Sequence, residues 1–209
     1  MIPSAISRTA GVVAVGVTAF LGSLHAVPGT LQPAPATKPQ PRPHSTRVAV
    51  EARLIQADDG DTVVIRWPKE PEGETVRLLG IDTPETRHLE HDIPFDQMFG
   101  PDARAFMQGV VAAATRVELL RAATLDPYGR TLAHLFVDGR NVSILVIEAR
   151  LAYESITAFG DNGFPAEAAL VKAAADRAGP LPFEPPYQFR ARMREVTKWM
   201  KAQGIYPSK

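Results

Sequence analysis

Apolar and polar residues alternate along five stretches of the chain, which is the pattern of β-strands that bury one face. These predicted strands are residues 47–57, 61–67, 75–81, 116–122 and 131–137. Turn-forming segments separate them, as at Asp58-Asp59-Gly60, where glycine supplies a positive φ and aspartate bonds its own backbone. The middle of the chain is therefore expected to form a sheet of five strands.

Four other stretches place apolar residues at the spacing of three and four that is typical of helices. One begins at Gly100-Pro101, with proline at the first helical position, and the others are residues 142–151, 165–178 and 188–203. A helix between the third and fourth strands, and another after the fifth, is the order of an OB-type barrel. The predicted fold class is α+β, a five-stranded OB-type β-barrel capped by α-helices. Whether one or both of the last two helices cap the barrel stays open.

The N-terminal 46 residues differ in composition from the rest. Residues 1–27 carry one basic residue, Arg8, followed by 16 uncharged residues from Thr9 to Leu24, fewer than the ~20 that span a bilayer. This layout favours a cleaved signal peptide, with an uncleaved membrane anchor as the alternative. We therefore expect an exported protein, secreted or periplasmic, in contact with a membrane only if that segment is retained. Residues 28–46 hold six prolines and predict an extended linker, followed by a folded domain at 47–207 with a C-terminal helical extension.

The amino-acid composition excludes some kinds of functional site and limits how the chain could bind a polyanion. The 209-residue chain has no cysteine, which excludes disulfides, thiolate nucleophiles and cysteine-based zinc sites. Its formal net charge is zero, but residues 48–209 hold 19 basic and 23 acidic side chains, a net charge of −4. Proteins that hold nucleic acid along a long groove usually carry a basic excess. Any attraction to a polyanion must therefore be local.

The densest group of chemically active residues lies between residues 58 and 85. Asp59 and Asp61 precede the second strand, and Asp82, Thr83 and Glu85 follow the third. If the two strands pair, their ends bring Asp61 and Asp82 together. Such oxygen ligands suit Ca²⁺ or Mg²⁺ better than a soft metal. A solvated turn is the alternative for the first two aspartates. A transition-metal site at His88 and His91 is a weaker one, since their spacing fits no common zinc motif.

Five segments together resemble the staphylococcal nuclease (thermonuclease) family. They are DGDT (59–62), VRLLGIDTPE (76–85), FGPDARAF (99–106), DPYGRTLA (126–133) and, more weakly, GIYP (204–207). The segments occur in the family's order and near its spacing over about residues 48–155. The resemblance implies an OB-type barrel, a Ca²⁺ cofactor, with Mg²⁺ or Mn²⁺ not excluded, and a monomer that hydrolyses DNA and RNA with little sequence preference, leaving 3′-phosphate ends.

The resemblance also implies a role for each matching residue. Asp61 and Asp82 would bind the cation by carboxylate and Thr83 by its backbone carbonyl, with Asp59 in or just outside the ligand shell. Glu85 would hold the attacking water. The remaining residues would contact phosphate: Arg77 and Arg130 at the scissile group and Tyr128 at a neighbouring one.

Some positions depart from the family pattern. Pro127 and Arg150 replace the usual residues before the Tyr-Gly-Arg segment and at the end of the second helix, and Ile156 and Ala158 stand where base-stacking aromatics are expected. An arginine in a left-handed helix cap carries a steric cost. The rival interpretations are a non-catalytic nuclease-like module that binds nucleic acid or protein, and a structural domain with an incidental Ca²⁺ site.

Overall fold

The computed structural model describes residues 38–207, and the predicted signal or anchor at 1–27 lies outside them. The strands are β1 (Arg47–Val50), β2 (Ile55–Ala57), β3 (Thr62–Ile65), β4 (Glu74–Leu78), β5 (Ile81–Asp82), β6 (Val117–Leu125), β7 (Thr131–Val137), β8 (Arg140–Asn141) and β9 (Tyr153–Glu154). The α-helices are α1 (Gly100–Ala113), α2 (Val142–Glu148), α3 (Ile156–Phe159), α4 (Pro165–Ala178) and α5 (Pro186–Ala202). No helix among these described residues is long and apolar enough to cross a membrane.

The main sheet has the strand order β1-β6-β7-β4-β3-β2, with β8 added beside β7. Strands β4 and β7 run parallel, and the other pairs are antiparallel. The two edge strands, β1 and β2, are halves of one segment that bends at a 3₁₀ turn, Ala52–Leu54. The bend allows one half to pair with β6 and the other with β3. The α+β class predicted from the sequence is confirmed, and the strand order is consistent with an OB-like fold.

The predicted first strand, 47–57, was therefore wrong as a single element. Its alternation shifts by one residue at the bend, because Val50 and Ile55 are both buried although they are five residues apart, and a continuous strand would place them on opposite faces. In the sequence this shift is visible only as the adjacent apolar pair Leu54-Ile55, which does not reveal that the backbone changes partner there.

The core lies between the sheet and helices α1, α2 and α4. Its fully buried members include Ile65, Leu78, Ile81, Met107, Leu119, Leu135 and Ile147. Helix α4 occupies the predicted range and contributes Val171 and Ala174 to this core. Helix α5 instead packs on the segment after β5, where Phe189 and Met193 form a small cluster with Ile93. Trp199, on the same helix, is exposed.

Helix α2 ends on an arginine in the left-handed region. Arg150 has φ 62°, its N–H donates to the carbonyl of Ile147, and the N–H of Leu151 donates to that of Val146. This is the hydrogen-bond pattern that glycine usually closes. The guanidinium of Arg150 donates to the carbonyls of Ala178 and Pro180. These bonds to the end of α4 offset the steric cost of the side chain at that position.

The predicted linker, 28–46, is described only from Lys38, and this part is bound to the domain. The N–H groups of Gln40 and Ser45 donate to the carbonyls of Ala123 and Arg121 at 2.9 Å each. The side chain of Gln40 is buried and donates to the hydroxyl of Thr131 at 3.2 Å. Contacts of the folded domain therefore begin before Arg47.

A buried ion pair joins β4 to β6. Arg121 Nε and Nη2 donate to the two carboxylate oxygens of Glu74 at 2.7 and 2.8 Å. Trp67 Nε1 and Thr131 Oγ1 donate to the same carboxylate at 2.7 and 2.8 Å. Burial alone would raise the pKa of Glu74, but these hydrogen bonds outweigh burial and hold it below its usual value. The carboxylate is therefore charged and fully bonded inside the sheet.

A second buried titratable group, His134, lies on β7 with no solvent exposure. Its Nδ1 is 3.1 Å from Asn141 Nδ2, and the rings of Phe136 and Phe164 lie close to it. Burial lowers the pKa of His134 from 6.5 to about 4. The unfolded chain therefore takes up this proton more readily than the folded one, so stability is complete above pH ~6.5 and is lost as the pH falls towards 4.

We expect the variant His134→Gln to lose less stability on acidification than the parent. The pKa difference corresponds to about 2–3 kcal/mol of unfolding free energy between pH 7 and pH 4.5, which the parent loses and the variant does not. Urea unfolding of both proteins at the two pH values measures this difference. Acid titration of carboxylates is common to both and cancels. Equal losses of unfolding free energy in the parent and the variant would contradict the lowered pKa of His134.

Candidate active site

The pairing of β3 with β4 brings the two predicted clusters together. Thr62 lies opposite Arg77, and the N–H of Leu78 donates to the carbonyl of Asp61 at 2.8 Å. Asp82 ends the short strand β5, where it pairs with Tyr153 of β9. The aspartates that precede β3 and follow β4 therefore reach one end of the sheet, as the sequence predicted.

Arg77 joins the two aspartates. Its Nη1 contacts Asp61 Oδ1, and its Nη2 donates to Asp82 Oδ1 at 3.1 Å and to the carbonyl of Ile81 at 3.0 Å. Asp61 and Asp82 are only 2% and 8% exposed. Burial lowers the pKa of Arg77, against the opposing charges of Asp82 and Asp59. Both carboxylates thus lie against a single guanidinium in a largely dry site.

Thr83 and Thr62 fix the orientation of Asp61. The Thr83 N–H and hydroxyl donate to Asp61 Oδ2 at 2.8 and 3.0 Å, and the hydroxyl of Thr62 donates to Oδ1 at 3.3 Å. Each oxygen of Asp61 therefore has at least one protein partner. This arrangement holds the carboxylate in one orientation before any ligand arrives.

Asp59 shapes the turn that leads to Asp61. Its Oδ1 accepts the N–H groups of Asp61 and Thr62 at 2.8 and 2.6 Å. Gly60, between the aspartates, is close to α1: a Cβ there would lie 2.6 Å from the Cβ of Ala103. Burial raises the pKa of Asp59. Of the residues predicted to bind a cation, Asp59 is the one whose contacts are mainly those of a structural turn.

Glu85 is positioned by the loop after β5 and by the start of α1. Its N–H donates to Gln97 Oε1 at 3.2 Å, and its carbonyl accepts the Gln97 N–H at 2.8 Å. A Cβ at Gly100 would lie 2.1 Å from this carbonyl oxygen, so only glycine fits. Burial raises the pKa of the Glu85 carboxyl, and the charge of Arg190 acts against that shift.

Arg190 is a member of the site that sequence reasoning missed. From α5 it donates to Asp82 Oδ1 and Oδ2 at 3.1 and 3.0 Å, and its Nη1 also contacts Glu85 Oε1. Burial would lower the pKa of Arg190, but these bonds raise it above its usual value. The sequence contained one relevant signal, a basic residue beside Phe189 on the buried face of a helix, but nothing that indicated its destination.

Arg130 and Tyr128 lie on the turn between β6 and β7. The parallel pairing of β4 with β7 sets Thr131 opposite Val76, and Arg130 is near enough to Arg77 for the two positive charges to repel each other. Asp126 holds this turn: its Oδ1 accepts the N–H groups of Tyr128 and Arg130, and its Oδ2 accepts Arg130 Nε at 2.7 Å. Tyr128 is 85% exposed, and its ring centre is 5.6 Å from Arg130 Cζ.

The donor set fits a hard cation. Asp61 and Asp82 could supply carboxylate oxygens and Thr83 its backbone carbonyl, although guanidinium groups already lie against both carboxylates. Within residues 38–207, no three His, Asp or Glu side chains are grouped as a ready-made metal cage. A cation would therefore need ligands beyond the two aspartates, such as carbonyls and water. His88 and His91 stack on each other with ring centres 5.7 Å apart.

Comparisons with known proteins found a family model and several proteins that resemble this chain. Residues 75–177 match the family model described as Staphylococcal nuclease homologue. Endonuclease YncB of Bacillus subtilis (strain 168) is 33% identical over 117 residues, 53% of this chain and 53% of that protein. The SPbeta prophage-derived endonuclease YokF of the same organism is 34% identical over 108 residues, 50% of this chain and 35% of that protein.

Thermonuclease of Staphylococcus intermedius is 34% identical over 110 residues, 52% of this chain and 62% of that protein. The chain thus spans between about a third and somewhat under two thirds of the length of these relatives. Arg190 lies beyond the residues that the family model matches. The resemblance predicted from the sequence is confirmed: residues 75–177 of this chain are similar to the staphylococcal nuclease family.

Proposed function

We propose that this protein is a cation-dependent nuclease that hydrolyses phosphodiester bonds of DNA and RNA with little sequence preference. The observation that carries the proposal is the guanidinium of Arg77 between the carboxylates of Asp61 and Asp82, with Glu85 in the same cluster. The names of the relatives, two endonucleases and a thermonuclease, support the same reaction. They favour internal cleavage over cleavage from an end.

Each residue has a role that its chemistry suits. Asp61, Asp82 and the carbonyl of Thr83 would hold Ca²⁺, or Mg²⁺ or Mn²⁺, with Asp59 supporting the turn. When bound, the cation neutralises charge that develops on the phosphoryl oxygens. Glu85 orients or deprotonates the attacking water.

The arginines act on the phosphate. Arg77 and Arg130 hold it, because the planar guanidinium can bond two of its oxygens at once. Tyr128 is exposed beside Arg130 and would contact a neighbouring phosphate. A bond forms between the water oxygen and phosphorus, the bond to the 5′ oxygen breaks, and the 5′ hydroxyl leaves with a proton. The products are 3′-phosphate ends.

The proposed cation requirement is tested with the full chain, circular and linear DNA, and RNA, across a series of Ca²⁺, Mg²⁺ and Mn²⁺ concentrations. We expect EDTA to abolish cleavage and added Ca²⁺ to restore it, because the site without a cation has only guanidinium groups to stabilise the phosphoryl charge. Circular DNA is expected to be opened, as internal cleavage requires. Full activity in excess chelator would defeat the cation assignment.

The rival function, a nuclease-like binding module, has a different outcome in the same assay. Such a module would retard nucleic acid in a gel and yield no product with any cation. The variant Glu85→Gln serves as the matched control for traces of contaminating nuclease, since it removes the acid–base group and keeps the shape of the side chain. Activity equal in variant and parent would point to a contaminant.

We also propose that the protein is exported and acts as a monomer. Export is based on the charge and hydropathy pattern of residues 1–27 alone. A retained segment would anchor the nuclease domain to a membrane, and a cleaved one would release it. Sequencing the N-terminus of protein recovered outside the cytoplasm distinguishes the two.

A further inference from the structure

Helix α5 brings a third arginine to the candidate site from outside the family match, which ends at residue 177. The helix is held at several points on the segment 86–98. Thr197 Oγ1 donates to the carbonyl of Asp92 at 3.0 Å, and Lys201 Nζ bonds Asp92 Oδ1 at 2.6 Å. Phe189 and Met193 are buried on the same segment. This attachment directs Arg190, three residues before Met193, towards Asp82 and Glu85.

The guanidinium of Arg190 contacts carboxylate oxygens in the way that a bound cation would. Its two terminal nitrogens take both oxygens of Asp82, and one of them also contacts Glu85. The Arg190 side chain is 31% exposed, while those of Asp82 and Glu85 are 11% and 17% exposed. The guanidinium therefore covers the acidic groups on their solvent side. A planar fork that binds two oxygens of one carboxylate is among the strong hydrogen-bonded arrangements of an arginine.

The charges of the site explain why this arginine lies there. The carboxylates of Asp61, Asp82 and Glu85, set against Arg77 alone, leave a net charge of −2 in a partly dry site. That is the charge a divalent cation neutralises. Arg190 supplies one of the two missing positive charges and uses oxygens that the cation would need. Two positive charges on the same carboxylate repel strongly where the effective dielectric constant is low.

We propose that Arg190 and the divalent cation compete for Asp82, so that helix α5 sets the cation concentration at which the site is loaded. The inference rests on the proposed function, because it assumes that the cation binds at Asp61 and Asp82. Apparent cation affinity falls in proportion to the fraction of molecules whose site is free of Arg190. A guanidinium docked in about nine-tenths of the molecules weakens apparent binding about tenfold.

The direct test is calorimetric titration of Ca²⁺ into the full chain without nucleic acid, comparing the parent with Arg190→Gln. We expect the dissociation constant to fall by about tenfold in the variant. Arg190→Lys keeps a positive charge but loses the planar fork, so its dissociation constant for Ca²⁺ should lie between those of the parent and of Arg190→Gln. Arg192→Gln is the matched control: Arg192 lies on the same helix and pairs with Glu184, outside the site. Its dissociation constant should equal that of the parent.

A second measurement uses the parent protein and does not depend on any variant folding. The guanidinium N–H signals of Arg190 are followed by NMR while Ca²⁺ is added, with Arg190→Lys assigning the signals. Docked on two carboxylates, these protons should exchange slowly with water, and Ca²⁺ should accelerate that exchange. Protons that remain protected in the Ca²⁺-loaded protein would overturn the competition.

The outcomes separate this inference from the proposed function. If the parent binds no Ca²⁺ and cleaves nothing, the proposed function fails and the competition fails with it. If the parent binds Ca²⁺ and Arg190→Gln has the same or a larger dissociation constant, only the competition is overturned. Unchanged cation binding together with weaker binding of a nucleotide would make Arg190 a phosphate contact instead.

Discussion

Replacing Glu74 with alanine is expected to lower the free energy of unfolding by about 3–5 kcal/mol. The carboxylate is buried and accepts hydrogen bonds from Arg121, Trp67 and Thr131. Its removal leaves the guanidinium of Arg121, itself only 2% exposed, as an unpaired charge inside the sheet. A buried charge without its partner costs far more than the pair contributed when intact. Urea unfolding monitored by circular dichroism measures the loss.

Two further variants determine whether burial is the cause. Glu148→Ala removes a carboxylate from an exposed pair with Arg140 and should cost no more than about 1 kcal/mol. The double variant Glu74→Leu/Arg121→Met removes both buried charges and should recover most of the stability lost in Glu74→Ala. A loss in Glu74→Ala no greater than in Glu148→Ala would mean that water reaches Arg121 readily.

The strands and helices could be predicted where the apolar and polar pattern of the segment itself shows which side chains are buried. Strand β7 and helix α4 were placed correctly because each has one continuous buried face and turn residues at its ends, such as Gly139 and Gly179. Residues 38–46 were not predicted correctly. Their composition predicts an extended tether, since they bury few apolar groups. They are held instead by hydrogen bonds such as that of Gln40 to Ala123, which composition does not count.

The candidate site likewise has a part that could be predicted from the sequence and a part that could not. Asp61, Arg77 and Asp82 lie within 22 residues of one another, and the pairing of adjacent strands brings them together. Their proximity could therefore be predicted from the sequence. Arg190 reaches Asp82 across 108 residues, through the packing of α5 on a loop without regular structure. No local pattern specifies that contact, which depends on which surface the helix covers.

The variant Arg130→Ala is expected to lower kcat by about 10²-fold or more. In the proposed mechanism its guanidinium stabilises charge that develops on the phosphate, an interaction made mainly in the transition state. Binding of a nucleotide product should weaken much less, because the ground-state phosphate keeps Arg77. Single-turnover cleavage and calorimetric product titration measure the two quantities separately.

The structure makes this variant informative about chemistry, since the backbone N–H groups of the turn keep their hydrogen bonds without the side chain. Asp126 Oδ1 accepts the N–H groups of Tyr128 and Arg130, and both bonds survive the substitution. Arg130→Lys keeps the charge without the planar fork and should recover only part of the rate. Arg140→Ala removes an equal charge from a pair with Glu148 at the surface and should cleave at the parent rate. If Arg130→Ala cleaved as fast as Arg140→Ala, Arg130 would have no part in the mechanism, and Arg77 would remain the arginine between the two aspartates.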